Sequence, residues 1–206
     1  IIQEASQIAL QNGVNLTNSL DMCAELRYRG IKIPLVLMTY YNPIYVFGND
    51  QFCEKASAAG VNGVIISDLP FEEADGIRKS CITSNIEYIS LIPPNCSKER
   101  IALACSVTSG FVYCVSLTGV TGPRETLDSQ LFKSLDKIKA LSNIPIAVGF
   151  GISKPKHIQE LKGKAEAVVV GSALTRMLQS SNRQSKIKDT SLLLGDLITE
   201  AEKLLS

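Results

Sequence analysis

Residues 146–153 read Ile-Ala-Val-Gly-Phe-Gly-Ile-Ser, and residues 167–173 read Ala-Val-Val-Val-Gly-Ser-Ala. Each is a short, largely β-branched run that stops at glycine and passes through small residues into a helical pattern. Apolar runs without alternation suit strands buried on both faces, as in parallel sheets covered by helices. Glycine at such a strand end lets a ligand approach backbone N–H groups, and the helix start that follows favours an anion. Either turn alone would serve equally well as a tight strand-to-helix connection. Two of them at successive strand ends match the phosphate cradle found after the last two strands of a (β/α)8 barrel.

Working outward, similar runs occupy 35–40, 64–67, 88–92 and 111–116. Between them lie helical patterns, with Ile101, Leu103, Ala104 and Val107 in one and Leu131, Leu135, Ile138 and Leu141 in another. Strand starts are 21 to 35 residues apart, which is one strand plus one helix per unit. So regular an alternation implies right-handed parallel crossovers, hence a doubly wound sheet or a barrel. The polar, proline- and glycine-rich residues crowd immediately after the strands, where barrels carry their sites. The expected fold is therefore α/β, a (β/α)8 TIM barrel represented here by about six of its eight strands. Residues 1–206 are expected to form a single domain, N-terminally incomplete, with roughly 50–60 upstream residues supplying two further units. Residues 1–10 read as a running amphipathic helix, and 179–188 as a polar connection before the last helix.

Composition excludes several classes. Of 206 residues, 45% are hydrophobic and 20% charged, and 21 basic against 20 acidic residues leave a net charge of +1. That balance builds no basic footprint for nucleic acid. The apolar runs are far shorter than the roughly 18 residues a membrane-spanning helix needs. The six cysteines, at 23, 53, 81, 96, 105 and 114, show no CxxC spacing, and His157 is the sole histidine. Zinc and thioredoxin-like readings fail, and the cysteines read as reduced, buried side chains in a reducing compartment, either cytoplasm or plastid stroma.

Three further features bear on chemistry. The long loop 116–124, with Gly119, Thr121 and Gly122, suits a lid closing over a barrel mouth or a plain solvent loop. Asp68, ending its strand as Ser-Asp-Leu-Pro, either orients a substrate group or tidies the turn before the next helix. Tyr113, mid-strand, offers a ring wall and a hydroxyl if it points inward, and core packing otherwise. His157, at a helix start among lysines, reads as a solvated surface side chain.

Residues 38–43 (MTYYNP), 67–73 (SDLPFEE), 110–113 (GFVY), 119–122 (GVTG), 149–153 (GFGIS) and 171–173 (GSA) together resemble the tryptophan synthase α chain. The resemblance runs the length of the chain with the motifs in family order. It implies a lyase of tryptophan biosynthesis that splits indole-3-glycerol phosphate into indole and glyceraldehyde 3-phosphate by a retro-aldol reaction. It also implies no cofactor or metal in this subunit, and an α2β2 assembly with a β subunit carrying pyridoxal phosphate. By the same resemblance Gly122, Gly151, Gly171 and Ser172 bind phosphate, and Met38, Ile65, Leu91, Tyr113 and Phe150 wall the indole. Thr121 and Gly119 belong to the lid, and Asp68 lies near the subunit contact. The family's two catalytic carboxylates, a glutamate and an aspartate, would precede Ile1, so no catalytic residue is expected within 1–206 and this chain alone is expected to be inactive. The alternatives are a free-standing lyase of the same fold, or a non-catalytic phosphate-binding partner that modulates the β subunit.

Overall fold

In a computed structural model, residues 2–115, 127, 129–149, 152–178 and 183–205 are described. Among these residues are seven strands, all parallel to their neighbours, with helices between all of them except β3 and β4. They are β1 (Val36–Thr39), β2 (Gly63–Ile66), β3 (Glu87–Ile89), β4 (Leu91–Ile92), β5 (Val112–Val115), β6 (Ile146–Gly149) and β7 (Ala167–Val169). The order is β1-β2-β3 in one sheet and β4-β5-β6-β7 in the other, as successive βα units require.

The run 88–92, expected as one strand, is interrupted at Ser90. Side-chain hydroxyls from 108–109 enter the ladder there. Tyr88 N donates to Ser109 Oγ at 2.9 Å and Ser90 N donates to Thr108 Oγ1 at 3.1 Å, while Tyr113 N reaches Ser90 O at 3.0 Å. Tyr88 and Ser90 thus bond to Thr108, Ser109 and Tyr113 instead of continuing a regular ladder, and this local disruption divides the wall into β3 and β4.

The helices are α1 (Ile2–Gln11), α2 (Leu16–Tyr28), α3 (Tyr41–Phe47), α4 (Asn49–Ala58), α5 (Asp75–Thr83), α6 (Lys98–Val107), α7 (Ser129–Leu141), α8 (Pro155–Glu160), α9 (Ser172–Leu178) and α10 (Arg183–Leu205). Residues 183–188, expected in a polar connection, form the first turns of α10 instead. Asn15 caps α2 through a reciprocal capping box with Asn18. Arg27 near the end of α2 fastens it to the sheet floor. Its guanidinium donates to the carbonyls of Ile31, Ile33 and Gly60 and to Asn62 Oδ1, which also accepts from Leu35 N.

Most burial lies between strands and helices. One layer packs Val64, Ile66 and Tyr88 against Leu20, Phe52, Ala56 and Ile77. The other packs Ile92, Val112, Cys114, Ile146 and Val148 against Ile101, Leu131, Leu135 and Ile138. The alternate residues of the same strands face the other way and form a smaller cluster. All six cysteines are free and five are buried. Among the described residues no helix is long and apolar enough to cross a membrane.

Candidate active site at the carboxyl ends of the strands

Parallel register decides which side chains meet inside the curve. Met38 pairs with Ile65 and Ile65 with Ile89, then Leu91 with Tyr113 and Tyr113 with Ala147. One step nearer the mouth, Val115 pairs with Gly149 and Gly149 with Val169. Ile65, Ile89 and Tyr113 are buried together, with Leu91, Phe111, Val115 and Val169 packed on them. The structure therefore brings together Ile65, Leu91 and Tyr113 of the expected indole wall. Met38 shares their face but lies on edge strand β1, 52% exposed and outside that cluster. Phe150 lies outside the described residues. Ile89, Phe111, Val115 and Val169 were not singled out by sequence, although two-residue spacing from Leu91 and Tyr113 places the first three on the same face.

Tyr113 is the polar handle of this wall. Burial pushes its phenol up to about 12, so it stays protonated through the neutral range. Gly149 leaves room for the ring, since a β-carbon at 149 would overlap the phenol.

Asp68 has a role that its sequence context does not suggest. It sits at the mouth, exposed, and its carboxylate accepts Tyr41 N at 2.7 Å. Tyr41 opens α3, whose own N-cap, Tyr40, supplies no side-chain acceptor. Asp68 thus caps the helix of the neighbouring βα unit and meets the positive end of its dipole. The same tie continues inward, as the Tyr41 hydroxyl and the Asn49 side chain at the start of α4 lie 3.3 Å apart. Glu72, in the 3-10 turn that follows, is committed to Arg100 at 2.7 Å, and this hydrogen bond holds its carboxyl below the usual range. Among the described residues Asp68 is the one carboxylate in the segments between a strand end and the next helical turn.

At the end of β7, Gly171 and Ser172 are exposed, and a β-carbon at 171 would meet open space. Thr175 N and Oγ1 both reach Gly171 O, at 3.0 and 3.2 Å, which fixes the first turn of α9. The N–H groups at this helix start have no carbonyl four residues back to bond. Gly119, Thr121, Gly122 and Gly151 lie outside the described residues.

His157 is a correction. It is 1% exposed, and its Nδ1 accepts Ser153 N at 3.3 Å, anchoring the segment between β6 and α8. With Ile158 and Leu161 it forms the inward stripe of a short helix, a spacing that the flanking lysines conceal. Among the described residues no group of three or more His, Cys, Asp or Glu could hold a metal ion.

Comparison with known proteins gives this geometry a family. Residues 1–201 match the family model for the tryptophan synthase alpha chain. The tryptophan synthase alpha chain of Bacillus pumilus is 39% identical over 190 residues, which are 92% of this chain and 71% of the relative. That of a Geobacillus strain is 43% identical over 182 residues, 88% of this chain and 69% of its own length. Among solved structures, that of the tryptophan synthase a2b2 complex from Pyrococcus furiosus superposes with a TM-score of 0.89 at 37% identity, covering 96% of this chain and 79% of that one. The alpha chain of Legionella pneumophila gives 0.86 at 30% identity, covering 98% and 75%. The parallel βα units, the inner wall around Tyr113 and these matches agree: the chain belongs to the tryptophan synthase alpha chain family, lyases of tryptophan biosynthesis built as (β/α)8 barrels.

Proposed function

We propose that residues 1–206 act as one domain that supplies the binding walls for indole-3-glycerol phosphate, and that the acid–base pair for its cleavage lies outside them. The observation that carries this reading is the inner wall itself. Ile65, Leu91 and Tyr113 belong to one inward-facing cluster, with Gly149 held bare beneath the phenol. A flat apolar ring fits there, Met38 and Phe150 extending the wall and the Tyr113 hydroxyl providing orientation. The substrate phosphate is assigned to the N–H groups at Gly171 and Ser172, together with those at Gly122 and Gly151. Gly119 and Thr121 form the lid that excludes water.

Retro-aldol cleavage needs a proton delivered to the indole ring carbon and one removed from the glycerol hydroxyl as the carbon–carbon bond breaks. Positioned acids and bases contribute about 10²–10⁴-fold each to such steps. Asp68, committed to Tyr41 N, is no candidate for either proton. Residues 1–206 alone are accordingly assigned binding without turnover.

The same mouth is assigned the β subunit, which supplies the pyridoxal phosphate of the assembly. Tyr45 and Val46, 69% and 77% exposed on α3 one turn beyond the Asp68-capped end, offer the apolar contact such a partner needs. The reading is tested by titrating the protein with an indole alkyl phosphate that lacks the scissile bond. Saturable binding, weakened at least tenfold by Ser172→Pro and by Tyr113→Ala and competed by inorganic phosphate, supports it. Binding indifferent to both substitutions overturns the site.

A further inference from the structure

Helices α4 and α5 pack side by side with two sulfurs between them. Cys53 Sγ lies 3.7 Å from Cys81 Sγ, and both residues are 0% exposed. Among the described residues this is the one sulfur–sulfur contact, and none of the site chemistry above uses it. The pair is held from both sides. One turn before Cys53, Asp50 accepts a hydrogen bond from Ser80, the residue preceding Cys81. Phe52, Ala56 and Ile77 fill the same layer. A disulfide needs about 2.05 Å between sulfurs, so a gap of about 1.7 Å has to be closed by turns about the two Cα–Cβ bonds and approach of the helices.

We propose that Cys53 and Cys81 are a two-cysteine redox site, converted by a hydroperoxide into a disulfide that ties α4 to α5. Either thiol can donate across this contact; with Cys81 as the donor, the hydrogen bond lowers the Cys53 thiol against burial and the nearby Asp50 charge, which makes Cys53 the nucleophile. Its sulfur attacks one peroxide oxygen. The O–O bond breaks, water leaves, and Cys53 becomes a sulfenic acid. The Cys81 sulfur then displaces that hydroxyl as a second water, so two thiols lose two electrons and two protons to one hydrogen peroxide. Burial makes the first step wait for transient separation of the helices, so the reaction is slow but selective.

The test treats the 206-residue protein with hydrogen peroxide, alkylates it in denaturant and maps the peptides without reduction. The expected result is a Cys53–Cys81-linked peptide that accumulates while Cys23, Cys96 and Cys114 stay alkylatable. It should come with a Tm rise of about 5–10 °C that dithiothreitol reverses. Cys81→Ala should abolish the linked peptide and carry Cys53 on to sulfinic acid. The wild-type map decides even if that variant does not fold. Retention of both thiols while the half-exposed Cys105 oxidises, or disulfides scrambled among the other cysteines, overturns the proposal.

Discussion

The phenol of Tyr113 lies over the α-carbon of Gly149 on the adjacent strand, closely enough that any β-carbon at 149 would occupy the space of the ring. Gly149→Ala is therefore expected to drive Tyr113 out of its buried position, costing about 1–3 kcal/mol by overpacking. Trimming the partner should relieve the clash. Tyr113→Leu combined with Gly149→Ala is expected to cost clearly less than the sum of the single changes, since contacting residues couple. Urea unfolding of the four proteins measures this, and additive costs would contradict the contact.

Asp68→Ala removes the side-chain cap on Tyr41 N at the start of α3 and is expected to cost about 1 kcal/mol, a typical cap loss. Asp68→Asn keeps an acceptor and should cost less than half as much. A catalytic carboxylate would behave otherwise, with both substitutions abolishing turnover in the assembled enzyme alike. Paired urea-unfolding and activity measurements separate the two roles.

Arg27→Ala leaves the carbonyls of Gly60, Ile31 and Ile33 without their shared donor and is expected to cost about 2–3 kcal/mol. Arg27→Lys should recover little, because an ammonium cannot reproduce the guanidinium fork. Gly60 lies hard against the Arg27 stem at a φ of +78°, so Gly60→Ala should be comparably harmful in the wild-type chain. Thermal and urea unfolding check all three.

Stability is expected to fall at alkaline pH. Burial pushes Cys114, Tyr113 and Tyr88 up to about 12. Their unfolded values are about 8.5 for a thiol and 10 for a phenol. Raised folded values give stability that is complete below the unfolded values and is lost as pH climbs from about 8.5 toward 12. In an absorbance titration two of the six phenols should ionise only around pH 12, and Tyr113→Phe should flatten the alkaline fall in Tm.

The fold was legible because its signals are local and repeated. The strands announced themselves by unalternated apolar runs, and the glycines at 149 and 171 marked where the strands end, although only β2 and β6 are buried at every residue while β1 and β7 are exposed to half-buried. The break at Ser90 was not legible, because it depends on hydroxyls at Thr108 and Ser109 that reach the ladder only once α6 has returned to the sheet. His157 was misplaced for a related reason, as its lysine neighbours suggest solvent while its packing partners, Ile158 and Leu161, decide burial. Of the candidate site, the inner positions Ile65 and Leu91 followed from the family resemblance, and Tyr113 also from its place in mid-strand. The cap that Asp68 provides joins residues 27 apart in sequence, beyond the reach of any local pattern.

Where the acid–base pair lies is measured by indole release from indole-3-glycerol phosphate. The assay compares residues 1–206 alone with the same residues fused behind the N-terminal βα units of the Bacillus pumilus relative. Residues 1–206 are expected to bind the indole alkyl phosphate yet release no indole, whereas the fusion releases it. Comparable indole release by residues 1–206 alone would contradict this, placing an acid–base pair within these residues.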